Sequence, residues 1–250
     1  PTKSSAASDV YKRQDKRASI MKSSIILAAG LGKRVREYSL DLPKPLIEVN
    51  GKPFIEYSIN IMEELGFEEI FVNVHYKSDQ IISYLKNLNN PKIKISDETD
   101  CLLDTGGGIK KIMDENKIEH VFILNCDNLW EDEDAVFFRE MIVNFPKDTM
   151  SLLALTPIDL ISGYDGKGDF SFTKDDYIQR YNDTTSKGYV FNGAQIIRKE
   201  AFSNLKNSIF SINKVWDDLI SKNLIKGYKF NKNVLHLGTT SALRKYDNKL

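Results

Sequence analysis

The sequence predicts an α/β fold, a Rossmann-like, mixed but mainly parallel sheet with helices on both faces. Three observations carry this. From Ser24 onward, short runs of Ile, Val, Leu and Phe alternate with amphipathic stretches of helical period, the pattern of strands joined by crossover helices. The first apolar run empties into a glycine-bearing turn, as strands do where a sheet meets a working loop. With 250 residues, 41% of them hydrophobic, the chain has the material to bury such a core.

The elements follow in order. Residues 25–29 form the first strand, and residues 30–45 lack periodicity and read as a long functional loop. Pro53 opens a helix whose Ile55, Ile59, Met62 and Leu65 share one face, and Gly66 stops it. A buried strand at 69–75, a helix at 78–88 and a short strand at 92–95 come next. Residues 97–108 read as a loop running into a helix at 109–113. A strand at 121–124 then ends in Asn125, Cys126 and Asp127. This far the chain is a doubly wound nucleotide-binding half, with its functional loops at strand carboxyl ends. The second half is less regular, with strands expected at 152–155, 170–172, 189–197 and 234–237 and a helix at 212–221. No internal repeat is present, and little chain follows Leu237 to build an accessory domain. Residues 1–20 are polar, Ser-rich and basic without periodicity. They read as a disordered or non-native leader, leaving residues 21–250 as a single domain.

Lys and Arg number 35, as do Asp and Glu, so no overall field draws the chain to nucleic acid or an anionic membrane. The expected partner is a small molecule, held by charge gathered locally; the sequence is silent on oligomeric state. Two cysteines, Cys101 and Cys126, stand outside any C-x-x-C pair, which suits a reducing compartment and points to neither disulfide framework nor zinc site. No apolar run reaches the length of a membrane span or a signal-peptide core, so the cytoplasm is expected.

The strongest local signal is Leu27-Ala28-Ala29-Gly30-Leu31-Gly32-Lys33-Arg34. Glycines let backbone N–H groups approach phosphate oxygens, and Arg34 adds a forked, permanent charge. An ordinary turn with solvated Lys33, Arg34 and Arg36 reads equally well from this run alone. A dinucleotide fingerprint fits poorly, because an aperiodic stretch follows the turn and ends in Pro43-Lys44-Pro45. The two prolines hold the backbone around Lys44 extended, as suits a lysine aimed at a fixed target. Asp127 ends a buried strand, where open sheets bind ligands, and offers the hard oxygen that Mg²⁺ prefers; capping the next helix is the competing role.

Taken together, Leu-Ala-Ala-Gly-x-Gly-x-Arg followed ten residues later by Lys44-Pro45 resembles the sugar-1-phosphate nucleotidyltransferase family. Within it, Asp104-Thr105-Gly106-Gly107-Gly108-Ile109 is similar to the N-acetylmuramate 1-phosphate uridylyltransferase group. Val72-Asn73-Val74-His75-Tyr76, Asp79-Gln80-Ile81, Gly168-Asp169-Phe170 and Asn192-Gly193-Ala194-Gln195 match that group too. The resemblance implies a GT-A-like nucleotidyltransferase fold and a reaction joining an NTP to a sugar 1-phosphate with release of pyrophosphate. It implies that Gly30 and Gly32 cradle the NTP phosphates among Leu27, Ala28, Ala29 and Lys33. Arg34 would grip the leaving pyrophosphate, Lys44 neutralise the phosphates, and Asp127 hold a catalytic Mg²⁺. Gly106 and Gly107, beside Thr105, would line the base pocket, with Asn192 and Gly193 near the sugar. His75 ends a strand on the nucleotide side, either touching base or ribose or simply packing.

Two departures stand out. The better-known members carry an Asp two residues before a Gly-Thr, as a second metal ligand, where this chain has His236 before Gly238-Thr239. Either His236 reaches the metal through water, or the metal rests on Asp127 and the phosphates, or His236 is a packed strand-end histidine. Glu37-Tyr38-Ser39 replaces the family's Pro-x-Thr. His120, Lys110, Lys111 and Trp216 read as surface or packing residues. Rival readings are a GT-A-like glycosyltransferase, guanylyl transfer to a mannose- or heptose-type 1-phosphate, and a non-catalytic nucleotide sensor.

Overall fold

A computed structural model of the protein describes residues 21–35, 37, 41–164, 166–182 and 187–247. The expected leader, Arg36, and Tyr38 and Ser39 of the altered phosphate-loop run lie outside them. The first half runs β1 (Ser23–Leu27), the two-stranded pair β2 (Glu48–Val49) and β3 (Lys52–Pro53), α1 (Phe54–Glu64), β4 (Glu69–Val74) and α2 (Ser78–Asn87). It continues through β5 (Ile93–Asp97), α3 (Asp104–Glu115), β6 (His120–Asn125) and α4 (Asp134–Val143). The second half runs β7 (Ser151–Pro157), β8 (Ile161–Ser162), β9 (Phe170–Phe172), β10 (Ile178–Arg180) and β11 (Tyr189–Arg198). It ends with α5 (Ile212–Ser221), β12 (Ile225–Lys229), β13 (Val234–Leu235) and α6 (Thr240–Asp247).

Strands β5, β4, β1 and β6 lie side by side and parallel; β11 then joins β6 antiparallel. Beyond β11 come β7, antiparallel to it, and β12, parallel to β7, while β9 and β10 flank the start of β11. The sheet is mixed and mainly parallel, as the sequence predicts.

Strict alternation sorts side chains to its two faces. In β6, Phe122 and Leu124 pack with α1, α2 and α4, while Val121 and Ile123 pack with α3 and α5. Ile25 and Ile26 of β1 divide in the same way. Each such burial contributes about 2 kcal/mol, so a one-residue slip of β1 or β6 would exchange two well-packed faces and is strongly disfavoured. Pro53 precedes α1 and Gly66, at φ +81°, follows it; the Ser211 hydroxyl accepts from the Asn213 N–H at 3.3 Å and caps α5.

One expected boundary is corrected. Helix α3 starts at Asp104, so Gly106, Gly107 and Gly108 are helical rather than part of a loop. The cause is non-local. The N–H groups of Gly106 and Gly107 donate to the Phe210 carbonyl at 3.0 and 3.1 Å, closing the first turn from outside the helix. A Cβ at Gly106 would stand 2.5 Å from the Phe210 ring, and one at Gly107 would strike the Ser208 carbonyl oxygen. The glycines thus permit helix-to-backbone contact. No helix among the described residues is long and apolar enough to cross a membrane.

Candidate active site

From β1 the chain moves outward to β4 and β5, then returns to the other side of β1 as β6. The crevice outside the carboxyl ends of diverging strands is where open α/β sheets hold ligands. There Leu27 is level with Asn73 of β4 and Asn125 of β6. A cavity of about 650 Å³ opens at this point, lined by Leu27, Ala28, Ala29, Gly30, Gly32, Lys33, Arg34, Lys44, Thr105 and Asp127. Its size suits a nucleotide.

The turn after β1 is shaped from both ends. Gly32 takes φ +59°, a conformation that costs a side chain energy, and the Val35 N–H donates back to its carbonyl at 3.0 Å. Val35 is buried against Leu237 and Leu243, while Lys33 and Arg34 remain exposed toward the cavity. The Thr240 hydroxyl donates to the Arg34 carbonyl at 3.1 Å, so α6 clamps the turn from behind. Downstream, Pro45 and Leu46 are buried in a short 3-10 turn that fixes the backbone of Lys44.

Lys44 Nζ donates to Asp127 Oδ2 at 2.7 Å, with side chains 12% and 23% exposed. Burial raises the pKa of Asp127, but Lys44 outweighs it, helped by His236 and Arg34, and the carboxyl is held below its ordinary range. Asp127 is therefore an anion at neutral pH, just past the end of β6. His236 lies close enough to feel Asp127. Its backbone N–H donates to the Ser162 carbonyl at 2.9 Å, and its ring meets Tyr164 edge-on at 6.2 Å. Burial lowers its pKa; Asp127 opposes that and Lys44 and Arg34 reinforce it, so the imidazole is neutral at pH 7.

Among the described residues no group of three or more His, Cys, Asp or Glu side chains is disposed to hold a metal ion. Mg²⁺ does not need one. In phosphate sites it takes one or two carboxylates and completes its shell with phosphate oxygens and water, and the ionised Asp127 at the edge of the cavity is a carboxylate of that kind.

A second cavity, about 320 Å³, shares Leu27, Asp104, Thr105 and Asn125 with the first and extends to Asp169, Arg180, Gln195 and Trp216. Trp216 packs its helix, as the sequence suggests, and also donates from Nε1 to Gln195 Oε1 at 3.1 Å in the cavity wall. Asp169 accepts from the Phe191 N–H at 2.9 Å and from the Tyr164 hydroxyl at 3.1 Å. Arg180 pairs with Asp217 at 2.7 Å and lies 4.8 Å over the Phe170 ring. The sequence assigned Trp216 packing alone and the other three no role, although Asp169 and Gln195 stand in runs that match the family.

Other expected site residues lie behind the walls. Gly106 and Gly107 line neither cavity; Thr105 lines both. His75 follows β4, half-buried and outside both cavities, its buried Nδ1 without a partner among the described residues. Asn192 and Gly193 occupy a bulge of β11 between Phe191 and Gln195. The Asn192 side chain is buried, donating to Thr156 Oγ1 at 3.3 Å and accepting from the Ala194 N–H at 3.2 Å, while its carbonyl accepts from Asn128.

Comparison with known proteins gives a consistent picture. Residues 24–141 match the MobA-like NTP transferase domain. The chain is 28% identical to an N-acetylmuramate alpha-1-phosphate uridylyltransferase of Caulobacter vibrioides over 228 residues, 88% of this chain and 93% of that one. It is 31% identical to a D-glycero-alpha-D-manno-heptose 1-phosphate guanylyltransferase of Aneurinibacillus thermoaerophilus over 182 residues, 72% of this chain and 76% of that one. The inositol-1-phosphate CTP transferase from T. maritima shares the fold at TM-score 0.72 and 19% identity, covering 91% of this chain and 94% of its own.

Proposed function

The chain belongs to the sugar-1-phosphate nucleotidyltransferase family, and from that premise we propose that it joins UTP and N-acetylmuramate 1-phosphate, releasing pyrophosphate. The uridylyltransferase relatives, matched over nearly their whole length, support this pair of substrates. The observation that carries the reaction class is the Lys44–Asp127 pair standing beside a glycine turn in a nucleotide-sized cavity.

An oxygen of the sugar phosphate attacks the α-phosphorus in line, and the bond to the bridging oxygen breaks with its electron pair leaving on pyrophosphate. The attacking oxygen is already anionic, so no serine, cysteine or histidine nucleophile is needed. The protein's task is to align two polyanions and offset their repulsion. In this reading the backbone around Gly30 and Gly32 receives the triphosphate, with Lys33 at its flank, and Arg34 grips the departing pyrophosphate. Lys44 exchanges Asp127 for a phosphate oxygen as substrate enters. Asp127 would be the protein group that holds Mg²⁺, and the neutral His236 stands beside it rather than replacing a carboxylate. Bound there, Mg²⁺ would supply positive charge against the negative charge that develops on the transferring phosphoryl and its leaving group. Thr105 sits where base and sugar cavities meet; Gly106, Gly107 and His75 shape the base wall from behind, as Asn192 and Gly193 shape the sugar wall. Gln195, Trp216 and Asp169 face the sugar.

Guanylyl transfer to a heptose 1-phosphate is the second reading, favoured by the 31% identity to a guanylyltransferase. Pyrophosphate release from the protein, Mg²⁺, each of five NTPs and a panel of sugar 1-phosphates decides between them. Release with UTP and N-acetylmuramate 1-phosphate is expected; release only with GTP and a heptose 1-phosphate selects the second reading, and silence across the panel defeats both.

A further inference from the structure

The mechanism leaves two deeply buried polar side chains without a task. Asn73 of β4 and Glu98, just after β5, are each 3% exposed. The Ala28 N–H donates to Asn73 Oδ1 at 2.8 Å, Asn73 Nδ2 donates to Glu98 Oε1 at 2.8 Å, and the Leu103 N–H donates to Glu98 Oε2 at 3.1 Å. A backbone N–H can only donate and an ionised carboxylate can only accept, so the two ends fix which way the Asn73 amide points. The carboxylate is met by N–H donors, at a burial that is costly for any charge not fully hydrogen-bonded.

The relay's position gives it meaning. Ala28 opens the turn after β1, and Leu103 stands between Leu102 and Asp104, so the relay ties together two segments that line the larger cavity. Helix α3 rests directly on it: a Cβ at Gly108 would stand 2.5 Å from Glu98 Oε1 and 2.9 Å from Asn73 Nδ2. The third glycine of that run therefore has its own reason, distinct from the Phe210 contact that explains the first two.

We propose that Asn73 and Glu98 are positioning residues that set the gap between the phosphate turn and the start of α3, and with it the affinity for the NTP but not for the sugar phosphate. The inference rests on the nucleotide occupying the larger cavity. It has a test that reverses one hydrogen bond. Asn73→Asp sets two carboxylates face to face. Glu98→Gln sets donor against donor, at Asn73 or at Leu103. The double variant N73D/E98Q keeps the net charge and rebuilds all three bonds: the new carboxylate accepts from Ala28 and from the new amide, whose oxygen accepts from Leu103.

UTP and GTP affinity by calorimetry, KM for each substrate, and thermal melting are measured on all four proteins. Each single variant should weaken NTP binding about tenfold, the loss expected of one broken buried hydrogen bond, with the sugar-phosphate KM unmoved. The double variant should return to within about threefold of wild type. A double variant that folds but binds no better than the singles overturns the proposal, as does a parallel rise in both KM values. If the singles do not fold, the double variant alone decides: near wild-type binding supports the relay, and weak binding or failure to fold overturns it. A wild-type protein that binds neither NTP would instead defeat the proposed function.

Discussion

The larger cavity, proposed for the nucleotide, is built from the carboxyl ends of three parallel strands, β4, β1 and β6, and the smaller, proposed for the sugar, from β9, β10 and β11 with α5. The first delivers its groups in contiguous runs, because each parallel strand spills directly into the crevice. The second delivers roughly one side chain per element: Asp169, Arg180, Gln195 and Trp216 arrive from four different segments. The two sides differ in charge as well. Lys33, Arg34 and Lys44 line the larger cavity; in the smaller one Arg180 is matched by Asp217, and the rest of the polar lining is acidic or uncharged. Under the proposed function this division assigns charge compensation, and so rate, to one wall and selection to the other.

The sharpest way to break this division is Lys44→Ala. It removes the cation bound to Asp127 and should lower kcat roughly a hundredfold, about 3 kcal/mol in the transition state, while the protein melts as a folded species. Wild-type turnover in steady-state assays would end the assignment. The two glycine runs supply the next test. Gly107→Ala presses a methyl group on the Ser208 carbonyl and should cost about 1–3 kcal/mol of stability in urea unfolding. At Gly30 a Cβ meets nothing within 4 Å, so Gly30→Ala should leave the urea midpoint in place yet weaken UTP binding. The reverse outcome would exchange the roles given to the two runs. Smallest is Gln195→Leu, which removes the partner of Trp216 Nε1 in the sugar wall. It should raise the sugar-phosphate KM several-fold, about 1 kcal/mol, and leave UTP affinity unchanged; equal effects on both substrates would erase the boundary between the walls.

The same contrast explains what could be read from the chain. Leu27 to Arg34, Lys44 and Asp127 were legible because strand end and loop are continuous in sequence, and the structure gathers them around one cavity. The start of α3 was not, because the carbonyl that closes its first turn belongs to Phe210, far along the chain. Helix α4 has no clean stripe: Phe138 and Met141 are buried while Val136 is 62% exposed, so no single apolar face marks it. Strand β12 carries Gly227, a residue that weakens a strand signal and that is explained by the Phe172 ring lying where its Cβ would be. The readings left open for His236 narrow only with the fold in view, since Ser162 and Tyr164, which hold it, come from another segment. Cys126, beside Asp127, is a buried thiol pushed up to about 12 by burial and by that carboxylate, a packing residue despite its place in the site.

Leu27, Asp104, Thr105 and Asn125 belong to both cavities, so the two chambers adjoin at a shared boundary. A compound that carries nucleoside and sugar in one covalent unit engages both chambers while losing translational freedom once, and each half holds the other at high effective concentration. The proposed product, UDP-N-acetylmuramate, is such a compound. Tethered at both ends, it is expected to leave more slowly than either substrate, so that a first-turnover burst of pyrophosphate precedes the steady state.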